Sequence, residues 1–272
     1  MGIVKIKNGY MEYRLEGTGP MVVVLNGGHC SRDTKLSHEK LIDYGFSILI
    51  PSRPGYDRTS SEVGRTAEES ADALATLLDI HQIDKIFLIA ISAAGPTALA
   101  FAFKYPHRVK KLIMECAMSK EWENRYKKPA KILFGSAEKM TWWITKRMLK
   151  LFPSFMVRTM MKQLTKLPID EVMRKMNHED IEFVKNMILS SQSGTGFMND
   201  LEHKIVDLNK ISVPVLAIYS RNDNGVTFDN AERLAKEIKN CELFETNADS
   251  HLIWIGPSAN EVWQKRLEYL RN

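Results

Sequence analysis

Cysteine is scarce. The chain has three, Cys30, Cys116 and Cys241, an odd number far apart in sequence, with no CxxC pair and no Cys/His cluster. That pattern excludes a disulfide framework and supplies no metal-ligand motif, so a reduced, cytoplasmic setting without a bound metal is expected. Long apolar runs are missing too. Nothing approaches the roughly eighteen residues of a membrane-crossing helix, and the opening MGIVKIKNGYMEY has no apolar leader core. Gly2 begins a loose myristoylation-like start, but Ile6 stands where Ser or Thr is required. No internal repeat and no low-complexity linker interrupts the chain.

An apolar fraction of 44% over 272 residues suffices for one sizeable core carrying an insertion. The net charge of +5 is unevenly spread. Residues 120–170 hold twelve Lys/Arg and four Asp/Glu, a net of +8, whereas the remainder sums to −3.

The pattern alternates strand and helix. Residues 3–7 and 10–15 form alternating runs joined at Asn8-Gly9, a strong hairpin signal. Apolar strands are expected at 21–25, 46–50, 86–91, 109–114, 213–219 and 242–245. Helices are expected at 33–44, at 66–82 with Thr66 and Glu69 spaced as a capping box, at 229–239 and at 261–271. From Ala117 to Lys204 the alternation stops, and a helical block rich in Met, Trp and Lys takes its place. The expected fold is α/β: a mostly parallel sheet of about eight strands, opened by an antiparallel hairpin and covered by helices on both faces. Residues 1–116 and 206–272 make the core, and 117–205 form a helical cap over the C-terminal edge of the sheet, where such folds place their sites.

Lys85–Ala102, KIFLIAISAAGPTALAFA, organises the rest. A buried apolar strand ends at Ser92, and a helix begins at once with Pro96 in its first turn. A serine so placed is pushed out at the sheet edge, beside helix N–H groups that lack intrahelical partners. Taken alone, the stretch is equally well explained as a strand–helix junction with a capping serine.

The segment resembles the nucleophile elbow of the α/β-hydrolase family, G-x-S-x-G, with Ala90 and Ala94 in place of both glycines. The resemblance extends over the chain outside the insertion, and it implies the order serine, acid, histidine. His251, in the loop after the last strand, matches the family's histidine. His107 sits at the end of the serine's helix, and His178 and His203 fall in the insertion as exposed or helix-terminal residues. Asp223 matches the acid loop G-x-x-D-x-x-V, with Ser220 replacing its glycine; Glu115 and Asp249 are rivals. Leu25-Asn26-Gly27-Gly28-His29 resembles the L-H-G-G-P loop, which makes Gly28 and Ala93 the oxyanion donors and places Gly27 and His29 at the substrate. Pro51–Arg58 resembles a family turn in which Arg53 is structural.

The resemblance implies a serine hydrolase of a carboxylic ester, with no cofactor and a small-molecule substrate. Ser92 argues against the dehalogenases of this fold, which use Asp there. The fold also hosts C–C, amide or peptide hydrolysis, acyl transfer and haloperoxidation, and the substituted glycines leave open a non-catalytic binder. In the insertion, Trp142, Trp143, Met148, Leu149 and Phe152 are expected on one helix side, lining an apolar pocket, with Lys146, Arg147 and Lys150 on a solvated side. A basic cap docking on anionic membrane is the sharper alternative, and the solvated face is the preferred reading. No nucleic-acid reader motif accompanies the charge, so nucleic acid is not an expected partner. The oligomeric state is not encoded in any visible motif.

Overall fold

The computed structural model describes residues 1–6 and 9–272. Eight strands form one sheet: β1 (Gly2–Ile6), β2 (Gly9–Glu16), β3 (Met21–Leu25), β4 (Ser47–Pro51), β5 (Ile86–Ile91), β6 (Val109–Glu115), β7 (Val215–Tyr219) and β8 (Cys241–Glu245). Their spatial order is β1-β2-β4-β3-β5-β6-β7-β8. β1 and β2 pair antiparallel, as do β2 and β4, and every other pairing is parallel. The opening hairpin is therefore present as a strand pair, while Asn8 of its expected turn lies outside the described residues.

Among the described residues ten α-helices accompany the sheet: α1 (Ala67–Ile80), α2 (Gly95–Lys104), α3 (Asn124–Lys131), α4 (Glu138–Leu151), α5 (Pro153–Leu164), α6 (Ile169–Lys175), α7 (His178–Ser190), α8 (Gly196–Asp200), α9 (Asp229–Glu237) and α10 (Ala259–Arg271). The expected Thr66–Glu69 capping box starts α1: Thr66 Oγ1 accepts from Glu69 N–H and the Glu69 carboxylate accepts from Thr66 N–H. Residues 33–44 do not form the expected helix. Ser37 takes a left-handed φ of 74°, which confines the helical turn to a 3₁₀ segment at His38–Tyr44.

Alternation explains why the central strands are continuous apolar runs. Val23, Leu25, Leu88 and Ala90 pack into one core layer with α1, α2 and α9. Val22, Val24, Phe87, Ile89 and Ile91 pack into the other with α10. A strand covered on both faces needs apolar side chains at every position. The segment between β6 and β7 carries α3–α8, and its Val157, Met161, Val184 and Ile188 join the second layer. No helix among the described residues is long and apolar enough to cross a membrane.

From β3 the chain steps out to β4 and returns to β5 on the other side of β3, so the direction of progression switches between β3 and β5. Ligands in open parallel sheets bind outside the strand C-termini at such a switch. The loops after β3, β5, β6, β7 and β8 all leave from that edge.

Candidate active site

Ser92 follows β5 directly, with a φ of 50°. A non-glycine residue in the left-handed region stores strain, which the surrounding structure must hold. Met118 N–H donates to Ser92 O at 2.8 Å and ties the turn to the segment after β6. The absent elbow glycines are explained here. Ala90 and Ala94 are accommodated in buried positions, and the close approach falls one residue later. A Cβ on Gly95 would land on the Met118 backbone, so the required glycine is Gly95.

His251 comes from the loop after β8. Its Nδ1 lies 2.7 Å from Asp223 Oδ2. Asp223 is wholly buried in the loop after β7, and its Oδ1 accepts Gly225 N–H at 2.7 Å and Val226 N–H at 2.9 Å. With Nδ1–H given to the carboxylate, Nε2 keeps the lone pair. Gly225 matters sterically as well: a Cβ there would come within 3.3 Å of the imidazole ring. Ser92 and His251 line one cavity of about 630 Å³, which Gly27, Gly28, His29, Ala93 and Trp142 also line. Among the described residues no hydrogen bond joins Ser92 Oγ to the ring.

The rival acids are held elsewhere. Glu115 accepts from Arg266 at 2.6 Å and 3.0 Å and from Trp254 Nε1 at 2.7 Å, and meets His38 Nε2 at 2.9 Å, all buried. Burial alone would raise its pKa, but Arg266 and His38 bring it well below the usual carboxylate range. Asp249 pairs with Lys175 at 2.9 Å. His107 sits in the turn that precedes β6, at the opposite sheet edge, and His178 is exposed at the start of α7. His203 corrects the sequence reading: it is buried just beyond α8, where desolvation lowers its pKa.

The loop after β3 packs against the serine. A Cβ on Gly27 would stand 2.9 Å from Ser92 Cβ, and the Cβ position of Gly28 lies 3.5 Å from Ala93 Cβ. Asn26, where the family pattern has histidine, holds this loop through Nδ2, which donates to Ser31 O at 2.9 Å and Thr34 O at 3.1 Å. Arg53 grips the loop from below, donating to Asn26 O at 2.8 Å and Gly27 O at 3.0 Å. Its remaining fork is bidentate to Asp200 of α8, at 2.5 Å and 2.8 Å. With those two carbonyls turned toward Arg53, Gly27 and Gly28 line the cavity beside Ser92. Ala93 opens a helical turn, so its N–H has no intrahelical acceptor.

His29 packs among Phe134, Phe197 and Trp142, with ring centroids 4.4, 4.0 and 5.3 Å away. Ser193 Oγ lies 2.7 Å from its Nδ1 and accepts from Trp142 Nε1 at 2.8 Å. Burial pushes the His29 pKa down to about 4.

Four of the five side chains expected at the pocket are elsewhere, Leu149 being buried in the core and Phe152 exposed at the bend after α4. Trp143 is 61% exposed, and Met148 is half-buried away from the cavity. Successive helical residues differ by about 100° in direction, so Trp142 facing inward turns Trp143 outward. Sequence reasoning also missed Asp200, Ser193 and Cys116. Each is an ordinary residue in sequence, and only the fold gives it a partner. Cys116, after β6, places its sulfur with Asp223 and His251 in a group spanning 4.8 Å. Burial, and then the neighbouring Asp223, push that thiol well above its ordinary pKa, so it stays neutral.

Comparison with known proteins gives the family and the fold. A family model described as alpha/beta hydrolase fold matches residues 21–255. A Bacillus subtilis (strain 168) protein named uncharacterized hydrolase YcgS is 34% identical over 277 aligned positions, covering 99% of this chain and 98% of its own. A 2-hydroxy-6-oxononadienedioate/2-hydroxy-6-oxononatrienedioate hydrolase of Pseudomonas putida is 27% identical over 218 positions, 78% of this chain and 73% of its own. Two solved structures share the fold at 24% identity. An alpha/beta hydrolase fold protein from Nakamurella multipartita has a TM-score of 0.86, with 99% and 98% of the two chains covered. A thermophilic esterase from Thermogutta terrifontis has a TM-score of 0.74, with 100% and 98% covered.

Proposed function

Because the chain belongs to the alpha/beta hydrolase fold family, we propose that it is a serine hydrolase cleaving a carboxylic ester of a small or medium apolar molecule. The observation that carries this reading is the buried 2.7 Å Asp223–His251 pair lining the same cavity as the strained Ser92. Ser92 Oγ attacks the ester carbonyl while His251 Nε2 takes its proton. Gly28 and Ala93 N–H groups receive the developing oxyanion. His251 then protonates the leaving alcohol, and the acyl-enzyme forms. Water attacks it with His251 again as base, and the protonated ring restores Ser92 as the acid departs. Asp223 orients the imidazole throughout. The serine–imidazole contact closes as substrate binds, since such bonds are commonly long in unliganded sites.

Residues 117–205 act as a cap over the core of 1–116 and 206–272. Trp142 and Phe197, with His29 neutral between them, give the acyl group an apolar wall. A panel of p-nitrophenyl esters tests the assignment. The expected result is kcat/KM rising from acetate to medium acyl chains and lost in Ser92→Ala. Flat dependence on chain length would overturn the apolar acyl pocket, and faster hydrolysis of 2-hydroxy-6-oxononadienedioate, the compound in the Pseudomonas putida relative's name, would overturn the ester reading.

A further inference from the structure

The outer surface of the α4–α5 pair is the least expected feature of the molecule. A cap helix with apolar side chains normally buries them against the core. In α4, Trp142 and Leu149 do so, but Met140, Trp143, Ile144 and Leu151 are exposed. Phe152, at the bend, and Phe155, in the first turn of α5, continue the same exposed set. Residues 140, 143, 144, 147 and 151 recur at helical spacing, so they form one outward stripe. Arg147 lies in that stripe with its guanidinium 5.7 Å from the Trp143 ring centroid. Lys139 and Lys150 are exposed beside it, and Lys146 is partly so. Among the described residues, Arg158, paired with Asp170, is the basic side chain of α4 and α5 that has an acidic partner.

We propose that this face is a membrane-docking surface, on which Trp143, Leu151, Phe152 and Phe155 enter the interface of an anionic lipid bilayer while Lys139, Lys146, Arg147 and Lys150 meet its headgroups. Aromatic and large aliphatic side chains ringed by unpaired cations are the composition of an interfacial helix. Charge selects the occupant. Residues 120–170 carry a net of +8, whereas the rest of the chain sums to −3, so attraction to an anionic surface is concentrated in this segment. A second copy of the chain is a poor partner, because a two-fold contact through this face would set the same cations against each other. The inner faces of the same segments line the cavity, through Trp142 of α4 and Met160 and Leu164 of α5. Docking would therefore bring the pocket to an apolar reservoir without requiring a membrane-crossing segment.

Co-flotation of the purified full chain with vesicles tests the proposal. Binding is expected to phosphatidylcholine vesicles containing phosphatidylglycerol and not to phosphatidylcholine alone, and it should weaken as NaCl rises. Tryptophan emission should shift to the blue on binding, and the shift should disappear in Trp143→Phe. Leu151→Glu with Phe155→Glu should lower the partition constant roughly tenfold or more. Those two side chains are exposed and lie outside the cavity, so hydrolysis of a soluble ester should be unchanged; that assay separates failure of docking from failure of the catalytic reading. Equal binding to both vesicle types, binding to neither, or unaltered binding by the double variant would overturn the proposal. So would dimerisation through this face in sedimentation, abolished by the same substitutions.

Discussion

His29 shows how one side chain can serve a site without taking part in its proton transfers. It follows the two glycines of the β3 loop, at a φ of 62°, and its ring is enclosed by Phe134, Phe197 and Trp142. Burial holds its pKa near 4, against about 6.5 in the unfolded chain. In that window the unfolded state binds more protons, so stability rises with pH. The contribution is fully present above pH 6.5 and is lost as pH falls toward 4, by up to about 3 kcal/mol. Urea unfolding between pH 4 and 7 should therefore show a slope that His29→Asn flattens, Asn being tolerant of the left-handed backbone. Identical pH slopes in the two proteins would contradict the buried, neutral assignment. The same residue marks what sequence could and could not show. Its place beside the glycines was legible as pocket-lining, but its partner Ser193 comes from the loop between α7 and α8, 164 positions away.

At the scale of elements, the loop after β3 is shaped by a helix of the insertion. Asp200 at the end of α8 neutralises Arg53, whose other N–H groups hold the Asn26 and Gly27 carbonyls. Tyr56 also donates to Asp200, and all three side chains are buried. Removing one partner of such a pair leaves an uncompensated buried charge, at a cost of about 3–5 kcal/mol. Asp200→Ala should lose about that much stability in denaturant unfolding and lose activity disproportionately, because the loop carrying Gly28 is no longer held. A loss below about 1 kcal/mol would show that Arg53 finds other partners. The strand pattern, the capping box of α1 and the loop identities were readable because each rests on local periodicity or spacing. The helix expected over 33–44 failed because Ser37 takes a left-handed backbone and the Thr34 carbonyl accepts from Asn26 Nδ2 instead of a helical N–H. Trp143 was misplaced because composition gives the content of a helix and only its docking decides which apolar side chains turn inward.

For the whole molecule, five loops from one edge of a parallel sheet bring together residues spread from Gly27 to His251. Their order along the chain was visible in sequence, and so was the basic character of the insertion. The missing elbow glycines could be understood only in three dimensions, where Gly95 makes the close approach to Met118. In the proposed serine hydrolase, this convergence makes Ser92 a nucleophile activated by His251. Labelling with a fluorophosphonate, followed by intact-mass and peptide mass spectrometry, tests it most directly. One adduct per chain is expected, on Ser92, absent in Ser92→Ala and slowed by orders of magnitude in His251→Ala. No adduct, or labelling of Ser92 at an unchanged rate without His251, would contradict it.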